Sequence, residues 1–371
     1  MVVIYLSPVH WDSIAQRPHF FANFIAQQGV EKLIWVDPLP SRFPKFSDIR
    51  TKLIGVESKS IIKPNNVEVI KIRSVIPIEP FNGLYKVVNR GVINKFITNL
   101  ERLVKDKDSM LIIGKPSVLS LKILERITFK NTIFDVMDDY PYFFKGKTKD
   151  SVYKLLKKLL MQVDMTMFSS SGLLHKYSIM TKKSILVMNA CSSLYCNELM
   201  HAQNNYDGIN DGINDGINDG IITYGYIGSV ASWFDWDFII KLSSSRPHSR
   251  IVIVGPLYAK PESIPPNVII KPAIDHKDVP ALIKTFDYGL IPFQLNQLTD
   301  SVDPVKYYEY VAAGVPVITT CFGEMKSRVN DKVAVTLEQH LSGIEPEIEK
   351  PIVWEDRFTF LIKGYLGAKE F

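Results

Sequence analysis

No apolar run in this 371-residue chain reaches the ~18–20 residues that a membrane-spanning helix needs. Cysteine is scarce, with Cys191, Cys196 and Cys321 the three present. Cys191 and Cys196 have no second pair nearby, so a structural zinc lacks ligands. An odd number of thiols reads as incidental cysteines of a reducing compartment. The seven histidines form no His-x3-His or His-Glu-x2-His pair, and nothing else suggests a metal enzyme. Glycine is absent from residues 6–10, Leu-Ser-Pro-Val-His, just after the first apolar run. A dinucleotide oxidoreductase needs a Gly-x-Gly-x-x-Gly turn there, so that class is disfavoured. The first residues carry no basic stretch and no cleavage site, and they read as a buried strand rather than a leader.

What is present is ordinary globular composition: 46% hydrophobic, 22% charged and 11% aromatic residues. The length suits two domains. The net charge of +5 hides an asymmetry. Residues 1–185 hold 29 lysines and arginines against 16 acidic residues, whereas residues 186–371 hold 15 against 23. A basic half of this kind faces either solvent or an anionic partner, such as nucleic acid, an acidic membrane surface or a phosphorylated lipid.

Apolar runs alternate with helical patterns along the first half. Strands are expected at 2–6, 33–36, 67–72, 110–113, 132–136 and 165–169. Helices are expected at 17–28, about 84–104, 117–127 and 151–163. Strand and helix in alternation mean βαβ units and a parallel sheet. Residues 207–218 are three copies of Asp-Gly-Ile-Asn, followed by a further Asp-Gly. Such steps favour turns, and the spacing lacks the terminal glutamate of a calcium loop, so the segment reads as an insertion. A second βα series starts at 221. The expected division is 1–185, a first Rossmann-like domain; 186–220, a linker; 221–350, a second such domain; and 351–371, a terminal helix. Ligands of such sheets sit beyond the carboxyl ends of the strands, at helix N-termini.

The most informative stretch is 300–320. Pro304 is placed to start a helix with Asp303 as its N-cap. The amides of Val305 and Lys306 then form an anion site, with the Lys306 ammonium beside it. Glu309, one turn on, can accept two ribose hydroxyls, or else pair with Lys306 on the surface. Ala312, Ala313 and Gly314 read as packing residues.

Tyr308-Glu309-Tyr310-Val311-Ala312-Ala313-Gly314-Val315-Pro316-Val317 resembles the donor-binding segment of GT-B glycosyltransferases of the family 4 type. The variant from Pro304 to Tyr310 resembles a subgroup that builds bacterial polysaccharides. Three further stretches are similar to that subgroup: Trp11-Asp12-Ser13-Ile14-Ala15-Gln16-Arg17-Pro18-His19, Phe134-Asp135-Val136-Met137-Asp138-Asp139-Tyr140, and the glycine loop Tyr226-Ile227-Gly228-Ser229-Val230-Ala231-Ser232-Trp233-Phe234-Asp235. Residues 267–280 resemble the segment bordering the nucleotide base. The chain departs from the pattern at Ser301, where the common family has a second glutamate, with Asp300 or Asp303 as substitutes. It departs again at Asn189-Ala190-Cys191-Ser192.

The resemblance implies an α/β chain of GT-B architecture. Two Rossmann-like domains would face each other across a cleft, with the C-terminal helix packing back on the first. It implies transfer of a sugar from a nucleotide-sugar donor to a lipid-linked or oligosaccharide acceptor, with no cofactor or metal. Gly228 and Ser229 would let backbone approach phosphate, and Lys306 would stabilise the departing diphosphate. Asp138 and Asp139 follow a strand and are the first candidates for acid/base work, with Asp12 next; either of the pair could instead cap a helix. Arg17 would bind an anionic acceptor, support Asp12 or form an interdomain salt bridge. His10 is a weaker acceptor candidate, and His19 reads more readily as a packed side chain. A nonhydrolysing nucleotide-sugar epimerase shares the architecture and stays as the alternative. A non-catalytic nucleic-acid binder fits only the basic half. Lys145, Lys147, Lys149, Lys154, Lys157 and Lys158 form a cluster suited to an anionic membrane, or to solvent. The expected place is the cytoplasmic face of the membrane, held peripherally.

Overall fold

The computed structural model describes residues 1–39, 62–72, 88–193, 195–197 and 220–361. The Asp-Gly-Ile-Asn repeats lie outside the described residues. The chain divides into two compact units: Met1–Met188 with Phe358–Phe371, and Asn189–Arg357.

The first unit is built on seven parallel strands: β1 (Val2–Leu6), β2 (Lys32–Val36), β3 (Val67–Ile70), β4 (Ser109–Ile113), β5 (Asn131–Val136), β6 (Met165–Phe168) and β7 (Ser184–Leu186). Their order is β3-β2-β1-β4-β5-β6-β7. β1 and β4 are buried at every position. That is why they read as unbroken apolar runs, the mark of a sheet covered on both faces. Between strands run α1 (Arg17–Gln27), α2 (Arg90–Val104), α3 (Val118–Arg126), α4 (Gly146–Gln162) and α5 (Ser171–Tyr177). α2 buries Ile93, Ile97, Leu100 and Val104, an apolar stripe at steps of three and four residues.

The second unit repeats the plan with six parallel strands: β8 (Thr223–Ile227), β9 (Arg250–Val254), β10 (Val268–Lys271), β11 (Tyr288–Ile291), β12 (Val317–Thr319) and β13 (Val335–Thr336). The order is β10-β9-β8-β11-β12-β13. Its helices are α6 (Trp236–Ser245), α7 (Val279–Ile283), α8 (Val305–Ala312), α9 (Met325–Asn330) and α10 (Leu337–Leu341). In each sheet the strand order reverses beside the first strand of the series, between β1 and β4 and between β8 and β11. Such a reversal opens a crevice at the carboxyl ends of the strands, where ligands of this architecture bind.

The last helix, α11 (Trp354–Leu361), starts in the second unit, where the Trp354 amide donates to the Cys191 carbonyl. From Phe358 onward the chain belongs to the first unit. The Phe358 ring lies 4.8 Å from that of Phe21 and 5.6 Å from that of Phe24, both on α1. The part of this helix that belongs to the first unit thus packs on α1. α4 begins at Gly146 rather than 151, because its polar first turn, Gly-Lys-Thr-Lys-Asp, shows no apolar period. β7, α5, α9 and α10 are also additions to the sequence reading, each too short to carry a periodic signal.

Candidate functional site

In the second unit, β8 ends at Ile227 and Gly228 follows with φ +144°. A side chain there would strain the backbone and displace the end of Lys306. The backbone lies in a region that favours glycine, and a Cβ would sit 2.4 Å from Cε and 2.7 Å from Nζ of Lys306. Gly255, after β9, also has φ +144°, and a Cβ on it would strike the Gly228 carbonyl oxygen at 2.2 Å. Two bare backbone turns and one ammonium therefore meet at the carboxyl end of β8. The Gly228 amide donates to the Val254 carbonyl, and the Tyr226 hydroxyl donates to the Ser229 carbonyl, which fixes the loop. The sequence reading misses Gly255; its spacing after an apolar run, like that of Gly228, is the signal available.

Lys306 extends from the first turn of α8. Burial lowers its pKa, and the nearby Glu309 carboxylate pulls the other way. An ammonium held this way gains from a second negative charge. No side chain caps α8. Its N-cap is Pro304, with φ −76° and ψ 121°, so the expectation of Asp303 as cap and Pro304 as first helical residue is corrected by one position. The first amides of α8 are left for an anion.

Asp303 is occupied elsewhere. Arg328, on α9, donates to it at 2.6 Å, the Tyr308 hydroxyl at 2.9 Å and the Asn189 amide at 2.7 Å. Both members of the Asp303–Arg328 pair are buried, and the guanidinium lies 3.9 Å from the centre of the Tyr307 ring. Asp303 therefore holds the start of α8 in place and is not presented to a ligand. Asp300 is exposed and paired with Lys326. Glu309 is half-buried; burial raises the pKa values of Tyr195 and Tyr310, and the Glu309 charge adds a smaller push in the same direction. Val305 is exposed.

In the first unit, the Gln-Arg-Pro-His stretch is structural. Gln16 is the extended N-cap of α1, Pro18 sits in its first turn, and the Gln16 amide donates to Nδ1 of His19. His19 is buried against Trp11 and Trp35, and burial lowers its pKa. The Arg17 guanidinium forms a fork on Asp135, with Nε 3.1 and 3.0 Å from the two oxygens and a second nitrogen 2.9 Å from Oδ1. Its remaining nitrogen donates to the carbonyls of Val187 and Met188. Arg17 is thus buried and engaged within the first unit, so the salt bridge expected between domains is an internal one, to Asp135. Asp12 is exposed and paired with Lys71 at 2.8 Å. His10 is exposed on one side and bonded to Asp37 at 3.1 Å. Asp37 also accepts from the Trp11 amide and from Nε1 of Trp35.

The two neighbouring aspartates after β5 part company. Asp139 is buried, with Lys176 at 2.5 Å on one oxygen and the Tyr177 hydroxyl at 2.6 Å on the other. It is a tie between this loop and α5, not a free acid or base. Asp138 is half-buried, and its carboxylate has no hydrogen-bond partner among the described residues. Burial pushes its pKa up to about 6, the charges of Asp135 and Asp139 add to this, and Arg17 opposes it. A carboxyl group poised near neutrality at the carboxyl end of a strand can take or hold a proton. No three His, Cys, Asp or Glu side chains gather as a metal-ligand set among the described residues.

Two units of this topology define the GT-B class of fold. Sucrose-phosphate synthase from Thermosynechococcus elongatus has TM-score 0.57 at 10% identity, with 100% of this chain and 92% of that one covered. HepE of Anabaena, solved with UDP, has TM-score 0.54 at 9% identity, covering 100% and 91%. An α,α-trehalose 6-phosphate synthase from Burkholderia multivorans has TM-score 0.56 at 10% identity, covering 100% and 92%. At these identities the likeness is one of fold. No family model matches the chain. Among curated proteins, the putative teichuronic acid biosynthesis glycosyltransferase TuaH of Bacillus subtilis is 30% identical over 105 residues. That match spans 27% of this chain and 26% of the relative.

Proposed function

We propose that this chain is a glycosyltransferase that moves a sugar from a nucleoside diphosphate sugar to a hydroxyl of a growing, lipid-linked cell-surface polysaccharide or oligosaccharide. It would work at the cytoplasmic membrane face, held there peripherally; among the described residues no helix is long and apolar enough to cross the membrane. The observation that carries the reading is the Lys306 ammonium set against Gly228, with Gly255 behind it, at the point where the second sheet reverses its strand order. That arrangement suits a diphosphate: backbone can approach closely, and a cation and a helix N-terminus face the charge that develops as the leaving group departs. The GT-B fold and the partial likeness to a polysaccharide glycosyltransferase support the same reading.

In this scheme the bond from the anomeric carbon to the donor phosphate breaks, and the diphosphate takes the electron pair. The acceptor oxygen then bonds to that carbon and loses its proton. Lys306 and the amides of Val305 and Lys306 meet the diphosphate without a metal, and Glu309 accepts the ribose hydroxyls. Asp138 acts on the acceptor, removing the proton in an inverting displacement; in a retaining one it orients the hydroxyl and an oxygen of the departing diphosphate takes the proton. Calorimetry with UDP, and mass spectrometry of a UDP-sugar incubated with acceptor glycans after chelation of metals, test the reading. Binding of UDP and transfer in the presence of chelator are the expected results. A folded protein that binds no nucleotide, or converts the donor only to its epimer, would overturn it.

A further inference from the structure

Between α3 and α4 of the first unit lies a groove of about 620 Å³. Its apolar lining includes Leu121 and Leu155, with Met161 56% exposed at one end. Lys122, Lys154, Lys157 and Lys158 also line it, with Glu125 as the one acid. None of these four lysines has a carboxylate partner among the described residues. Four unpaired ammonium groups on two neighbouring helices repel one another, so an anion above the groove relieves them. The apolar floor gives the second half of the signature: a hydrocarbon chain below, negative charge above. A polyanion such as nucleic acid would use the lysines and leave the floor bare.

We propose that the α3–α4 groove takes an acyl chain of an anionic membrane phospholipid while Lys122, Lys154, Lys157 and Lys158 hold its headgroup. This deepens the peripheral attachment suggested above and rests on it. One acyl contact alone holds a protein marginally, and a polybasic patch beside it makes attachment stable. The groove supplies both within one pair of helices. Lys145, Lys147 and Lys149 do not line it, and Lys149 lies instead over the Tyr142 ring at 3.8 Å.

The test is co-sedimentation of the full chain with vesicles of phosphatidylcholine alone or mixed with phosphatidylglycerol, at low and high salt. The native chain should bind only the mixed vesicles. Combined Lys154→Gln, Lys157→Gln and Lys158→Gln should weaken that binding roughly a hundredfold, each lysine near an anionic surface being worth roughly a factor of five. Met161→Glu, at a position more than half exposed, should weaken it with the lysines intact. Equal binding to both vesicle types, no binding to either, or full binding by Met161→Glu would overturn the proposal. So would a dimer of the native chain in solution that Met161→Glu dissociates, since the groove would then belong to a second copy. Calorimetry with UDP on the same preparations separates this proposal from the transferase reading. A chain that binds UDP but no vesicle overturns the groove and the peripheral attachment and leaves sugar transfer standing, and one that binds vesicles but no UDP overturns the transferase reading alone.

Discussion

Asp138 and Asp139 share a sequence context but not an environment, and the difference makes opposite predictions for the same substitution. The Asp138 carboxyl, ordinarily near 3.8, titrates at about 6 in the folded chain. Between those values the folded chain holds a proton that the unfolded chain has released. Stability from this group is therefore complete below about pH 4 and falls as pH rises to 6, by about 3 kcal/mol at most. Asp138→Asn removes the loss. It should raise the melting temperature at pH 8, leave it near that of the native chain at pH 3.5, and lower turnover at pH 8, where the native carboxylate is ionised. If Asp138 is the base, native turnover should rise through pH 6. Thermal melts and a pH–rate profile check this; a variant no more stable at pH 8 would sink the account. Asp139→Asn, by contrast, leaves Lys176 facing a neutral partner and weakens the tie to Tyr177. It should destabilise by roughly 3 kcal/mol, the low end for a buried pair with one member partly exposed. Sequence shows two adjacent acids after a strand. It cannot show that Lys176 and Tyr177, from a helix some 40 residues on, claim one and leave the other.

At the scale of elements, motifs and roles separate in a similar way. The Gln16–His19 stretch was legible as a signature, but its work is to start α1 and pin it to β5. The partner is Asp135, 118 positions away, and no local pattern reveals such a pairing. Arg17→Lys tests it. A point charge cannot reproduce the guanidinium fork on Asp135 with a further bond to the Val187 carbonyl, so it should lose roughly 2–4 kcal/mol in denaturant melts. Retained stability would mean that the charge alone matters. The start of α8 was closer to readable, because a helix N-terminus, a lysine and a glutamate three residues on are local features. What failed was Asp303: a buried carboxylate that binds Arg328, Tyr308 and Asn189 looks, in sequence, like a cap. Glu309→Ala should weaken UDP binding by roughly 1.5–3 kcal/mol, the scale of hydrogen bonds to a charged group. Calorimetry giving native affinity in the folded variant would remove Glu309 from the donor site.

For the whole molecule, the alternation of strands and helices and the fresh start near 221 made two βα series legible, because buried parallel strands need long apolar runs. The path of the chain through its units was legible only in outline. It leaves the first unit at Met188 and returns at Phe358, inside α11. Phe358 is fully buried and meets Phe21 and Phe24. Two units with separate cores need not melt as one, so calorimetry should show either two transitions or a broad one that resolves under ligand. UDP at a hundred times its dissociation constant adds about 2.7 kcal/mol to the unit that binds it. On the reading above that unit is the second, which holds Gly228 and Lys306. Phe358→Ala should lower the other transition, since removing a buried phenyl ring costs about 3–5 kcal/mol. The expected pattern is one transition that rises with UDP and another that falls with Phe358→Ala. If UDP raised the transition that Phe358→Ala lowers, the nucleotide would bind the first unit, and the donor site would have to be sought beyond β1 and β4 rather than beyond β8.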